Sequence, residues 1–143
     1  MKTFLPKPDD KARKWFVVDA ADKPLGKLAV RVANLLRGRG KVTFTPQVDL
    51  GDFVVVLNAA KVHLSGKKEQ KKVYERYSGF RGGQTFTTAE QLRAKHPDLI
   101  VWNAVKGMLP RNTMSRTLIK RLKVCPGAEH PHAAQNPKLL EAI

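Results

Sequence analysis

The sequence predicts a layered α/β domain built on a parallel sheet, and three observations carry that expectation. The run Phe53-Val-Val-Val-Leu57 is apolar without alternation, as in a strand covered on both faces by helices. Upstream, Leu25, Leu28, Ala29, Val32, Leu35 and Leu36 recur at the i, i+3, i+4 spacing of an amphipathic helix. Before that helix lies an aromatic and β-branched run, Trp15-Phe-Val-Val-Asp19. Strand, helix and strand in direct succession make a βαβ unit, whose crossover is expected to be right-handed.

Taken in order, residues 1–14 are polar and held extended by Pro6 and Pro8, an arm that lies on something. The first strand follows. Pro24 suits the first turn of the helix, Arg37 favours its C-terminal dipole, and Gly38 ends it. Residues 37–41 form a basic, glycine-broken turn; 43–48 read as short extended structure and 49–52 as a turn before the central strand. Residues 58–61 suggest a short turn or helix, 62–64 a brief strand and 65–72 a charged loop. Residues 73–77 alternate as a strand does, and 78–84 are rich enough in glycine to be loop. Thr87 with Glu90 resembles a capping box opening a helix that stops near His96-Pro97. A buried helix is expected over 98–109, ended by Pro110. A basic helix over 115–123 follows, then a small strand at Val124 and a tail over 125–143. With 143 residues and no internal repeat, the chain reads as a single domain, 1–143.

Charge is the unusual property. The chain holds 27 Lys and Arg against 12 Asp and Glu, a net +15, while its hydrophobic fraction of 42% is ordinary for a globular protein. Such a balance points to an anionic partner, nucleic acid before membrane. The cations are concentrated. Residues 13–41 carry eight against Asp19 and Asp22, and 61–81 carry seven against Glu69 and Glu75. Residues 106–123 carry six against none. A helix over 115–123 would place Arg116, Lys120 and Lys123 on one face and Leu118, Ile119 and Leu122 on another. The alternative reading, solvated charges that serve solubility, applies to each run taken singly. The single Cys125 excludes an intramolecular disulfide and fits a reducing, cytoplasmic compartment. The N-terminal stretch lacks the apolar core of a secretory signal, and no apolar run is long enough to span a membrane.

The chemistry-bearing motifs are few. Gly79-Phe-Arg-Gly82 matches the GxxG of a KH loop in letters only, because its flanks are not helical. Ser65-Gly66-Lys67 lacks the upstream glycine of a phosphate-binding loop. Cys125, His130 and His132 could suggest a metal, but the spacing matches no common zinc knuckle. His130 and His132 fit contact with RNA better, and His63 and His96 read as structural. Asp49 and Asp52 could serve a metal-dependent nuclease, though aspartates around a glycine are ordinary turn chemistry. No metal, cofactor or small-molecule substrate is expected.

Several motifs together carry a resemblance. Val105-Lys-Gly-Met-Leu-Pro110 is followed by basic residues ending Arg121-Leu-Lys-Val124, then by Gly127-x-x-His130-x-His132-Ala-Ala-Gln135. With Trp15–Asp19, Leu25-Gly-Lys-Leu-Ala29, Thr45-Pro-x-Val-Asp49, Gly51-Asp52 and Leu57-Asn-Ala59, they closely resemble the bacterial members of the universal large-subunit ribosomal protein thirteen family. Cys125, where the family has Tyr, and the loop over 80–86 depart from its pattern. The resemblance implies a three-layer α/β/α fold around a central four-stranded parallel sheet, with extended basic loops and tails. It also implies a non-enzymatic constituent of the large ribosomal subunit, cytoplasmic, that joins early in assembly. Its partners would be large-subunit RNA and neighbouring ribosomal proteins.

The residues expected to contact RNA are Arg37, Arg39 and Lys41 in the first turn, and Lys67, Lys68, Lys71, Lys72, Tyr74, Arg76 and Arg81 in the second cluster. In the ridge they are Lys106, Arg111, Arg116, Lys120, Arg121 and Lys123, with His130 and His132 beyond it. A non-specific nucleic-acid binder is the alternative function.

Overall fold

The structure is a computed structural model and describes residues 5–7 and 13–140. Most of the expected N-terminal arm lies outside the described residues. β1 (Trp15–Asp19) and β2 (Phe53–Leu57) pair in parallel from Trp15 beside Phe53 to Asp19 beside Leu57. α1 (Leu25–Arg37) connects them, with Pro24 as its N-cap and Gly38 closing it at φ +71. The Gly38 N–H returns to the carbonyls of Asn34 and Leu35, so glycine stands where a left-handed cap is needed. Gly51 is required for a different reason. A Cβ there would lie 1.7 Å from the Leu36 carbonyl oxygen, so only glycine lets the approach to β2 pass this close to α1.

The sheet is completed from the C-terminal part of the chain. β5 (Leu122–Val124) pairs with β2 and β6 (Lys138–Leu139) with β1, all parallel, giving the order β5-β2-β1-β6. Val18, Val54, Val56 and Leu122 pack with Leu28, Val32 and Leu36 of α1 and with Ile100, Val101 and Val105 of α4 (Pro97–Met108). Each such buried side chain contributes about 1.5–3 kcal/mol relative to exposure. Trp15 and Phe53 stack at 4.4 Å on the opposite side of the strands from Val18 and Val54, and His132 lies 5.4 Å from Trp15. The fold is the α/β/α arrangement with a central four-stranded parallel sheet that the resemblance implied.

Between β2 and α4 the chain builds an outlying unit. A 3-10 turn over Ala59–Lys61 leads to α2 (Lys68–Lys71), then to the antiparallel hairpin of β3 (Val73–Tyr77) and β4 (Gln84–Thr88), then to α3 (Ala89–Lys95). Arg93 fastens it to the core. Its guanidinium holds Glu69 in a bidentate pair at 2.6 and 2.9 Å, and donates to the carbonyls of Ala60 and Val62.

Several expected elements differ. Residues 43–48 form turns rather than extended structure and pair with no strand among the described residues. Residues 62–64 make only an isolated bridge, His63 beside Pro24, and 65–72 contain a helical turn. β4 falls where loop and helix start were expected, because its pairing with β3 supplies the order its sequence lacks. The capping box lies one residue later, with Thr88 as N-cap and Gln91 returning to it; Thr88, the last residue of β4, has the extended backbone that an N-cap takes. The helix expected over 115–123 is α5 (Thr113–Leu118), capped by Asn112, followed by a 3-10 turn over Ile119–Arg121. It stops because Leu122–Val124 are taken into the sheet beside β2, so Lys123 leaves the expected helical face.

Candidate nucleic-acid interface

The carboxylates decide which cations are free. Asp52 is buried and accepts the Lys14 backbone N–H at 2.9 Å and the Lys41 ammonium at 2.6 Å. Lys41 also donates to the Leu50 carbonyl at 2.8 Å. Asp49 receives both arms of the Arg121 guanidinium, with Arg13 3.7 Å away. Burial pushes the Asp49 carboxyl up. The hydrogen bond and charge of Arg121, the Gly51 N–H and Arg13 outweigh it and hold the group below the usual carboxylate range. Asp49 and Asp52 therefore act as internal anchors for the turn, not as a free carboxylate pair. Arg121, only 6% exposed and lying 5.8 Å from the Phe53 ring centroid, belongs to the interior instead of the cationic ridge where it was expected. A charge counted as surface in the sequence is buried because Asp49 follows it in.

The remaining cations lie outside. Arg39, Lys67, Lys68, Lys71, Lys72, Arg76, Arg81, Lys106, Arg111, Arg116 and Lys120 are all exposed. None of them has a salt bridge among the described residues. Lys106 lies 5.0 Å from the Trp102 ring centroid, and Lys68 donates to the Ser65 hydroxyl. Arg37 is half-buried over Phe44. A cleft of about 200 Å³ is lined by Arg37, Phe44, Pro110, Asn112 and Met114, so the turn after α1 and the start of the ridge stand side by side. Lys106, Arg111 and Arg116 surround one concavity. Lys123 and His132 share another with Asp98 and Trp102. Arg31, outside the expected set, lines a hollow with Arg39 and Asn34; the Lys27–Arg31 spacing on the polar side of α1 was its signal.

The hairpin changes the roles of its aromatics. Tyr74 is half-buried, with its hydroxyl enclosed and without a hydrogen-bond partner among the described residues, and the Lys72 ammonium 5.3 Å from its ring. Burial raises its phenol above the ordinary value. Tyr77, Phe80 and Phe86 are the exposed rings instead. Tyr77 and Phe86 lie on the same face of the hairpin because Phe86 pairs with Glu75, two residues from Tyr77. His130 and His132 are half-buried, and the His132 backbone N–H donates to His130 Nδ1 at 3.2 Å. Among the described residues no group of three His, Cys, Asp or Glu is placed to hold a metal. Burial pushes the Cys125 thiol up, away from reactivity. No helix among the described residues is long and apolar enough to cross a membrane.

A parallel-sheet α/β platform that ties Asp49, Asp52 and Glu69 into ion pairs and leaves cations on several outer surfaces without a salt bridge among the described residues is a protein of the polyanion-binding class. The sequence model of the ribosomal protein L13 family matches residues 13–131, and the chain belongs to that family. It is 55% identical to the large ribosomal subunit protein uL13 of Coprothermobacter proteolyticus, over 99% of both chains. It is 53% identical to the protein of that name from Symbiobacterium thermophilum over 98% of both, and to that from Akkermansia muciniphila over 96% of both.

Proposed function

We propose that this chain is a structural, non-enzymatic constituent of the large ribosomal subunit, in the cytoplasm, where it binds large-subunit RNA beside neighbouring ribosomal proteins. Family membership and end-to-end similarity to large-subunit proteins support the assignment. The observation that carries the mechanism is the sorting of charge. Asp49, Asp52 and Glu69 are each held by cations, while the exposed cations of the turn, the hairpin unit and the ridge have no carboxylate partner among the described residues. Each of these surfaces neutralises phosphates of a different RNA segment and releases counterions, and the packed core fixes their relative positions. Holding segments together in this way acts early in subunit assembly. The contacts fall to Arg39, Lys67, Lys68, Lys71, Lys72, Arg76, Arg81, Lys106, Arg111, Arg116 and Lys120. Lys41 and Arg121 shape the platform.

The test is competition at moderately high salt between large-subunit RNA fragments and transfer RNA of equal mass. Retention of one fragment while transfer RNA is lost supports a shaped ribosomal site. Equal loss of both favours the non-specific binder.

A further inference from the structure

The concavity at the start of the ridge has a chemistry of its own. It is an open hollow of about 480 Å³ between the end of α4 and α5, within the size range of small-ligand sites. Its floor is apolar, from Leu109, Pro110 and Ile119. Its rim carries Lys106, Arg111 and Arg116, and no acidic residue lines it. The polar groups between are arranged. Asn112 Oδ1 accepts the Ser115 backbone N–H, and the Ser115 hydroxyl, 3.0 Å from that oxygen, donates its one proton to the Pro110 carbonyl. That leaves the Asn112 amide NH₂ as a donor beside the apolar floor.

We infer that this pocket takes a single unstacked nucleotide of the bound RNA. The base lies on Leu109, Pro110 and Ile119, and the flanking phosphates meet Arg111, Arg116 and Lys106. A convex ridge neutralises phosphates whatever the bases do, whereas an apolar hollow ringed by cations admits a base only after it leaves its stack. This site rests on the RNA-binding reading above and adds to it a preference for single-stranded, base-bearing RNA.

The full-length protein is titrated into three probes: a nine-nucleotide single strand with central 2-aminopurine, the same strand with an abasic ribose there, and a duplex of equal length. The base-bearing strand is expected to bind about fivefold more tightly than the abasic one. That is the lower end of what one base contributes on an aromatic platform, because this floor is aliphatic. Fluorescence should rise as the 2-aminopurine leaves its neighbours, and amide resonances of residues 109–119 should shift. Ile119→Asn should bring the two strands to equal affinity, and the unsubstituted protein's readings stand even if that variant folds poorly. Equal affinity for both strands, unchanged fluorescence, or shifts confined to other surfaces would overturn the pocket while leaving binding to large-subunit fragments intact. No binding to any RNA would overturn the reading beneath it.

Discussion

Arg121 and Asp49, 72 residues apart in sequence, form a bidentate ion pair, with Nη1 2.7 Å from Oδ1 and Nη2 bonded to Oδ2. The same Nη1 reaches the Gly51 carbonyl, so one guanidinium ties the turn before β2 to the approach of β5. Asp49→Ala leaves that buried cation without its carboxylate and should destabilise the fold by on the order of 3 kcal/mol. Arg121→Met, which leaves Asp49 partly exposed and near Arg13, should be milder. Urea midpoints of the two variants measure the difference.

The same pair sets a pH dependence. The folded carboxyl of Asp49 lies below its unfolded value, so its contribution is fully present above that unfolded value, about pH 3.9. It is lost as pH falls through the lower folded value. Asp49→Asn should therefore flatten the loss of stability below about pH 4, relative to the parent protein. Denaturation midpoints from neutral pH downward follow it; parallel curves would count against the pair.

Arg93→Met removes the clamp on Glu69 and the carbonyls of Ala60 and Val62. Hydrogen exchange in β3 and β4 should quicken while β1 and β2 keep their protection, since the hairpin unit lies outside the main core. Uniform acceleration would mean that Arg93 supports the whole domain instead.

Gly51→Ala forces a Cβ onto the Leu36 carbonyl, and backbone cannot yield as a side-chain tip can. Destabilisation should reach at least about 3 kcal/mol, the upper end for overpacking. Gly26→Ala, with open space around the position, is the control in a thermal melt.

Reversing Arg116 and Lys120 to Glu should weaken binding to large-subunit RNA and flatten its dependence on salt, because fewer counterions are released. An unchanged slope in binding measured across a salt series would remove the ridge as an RNA surface.

The sequence by itself determined the elements whose information is local. The 3.6-residue periodicity of α1, the unbroken apolar run of β2 and the Gly38 stop are written within single windows, and the structure follows them. The excess of cations is equally a property of the list of residues. Tertiary structure decided what depends on distant partners. β5, expected from the sequence only at Val124, and β6, inside the expected tail, are set in extent and partner by the parallel edges that β2 and β1 offer. β4 is ordered by its hairpin partner. Whether a cation faces solvent depends on which carboxylate the fold brings to it. Asp49 draws Arg121 inward and Asp52 holds Lys41, whereas among the described residues no carboxylate is brought to Arg111 or Arg116. Local pattern sets secondary structure through short-range sterics and burial, but the free energy of a charge is settled by neighbours that only the folded chain assembles.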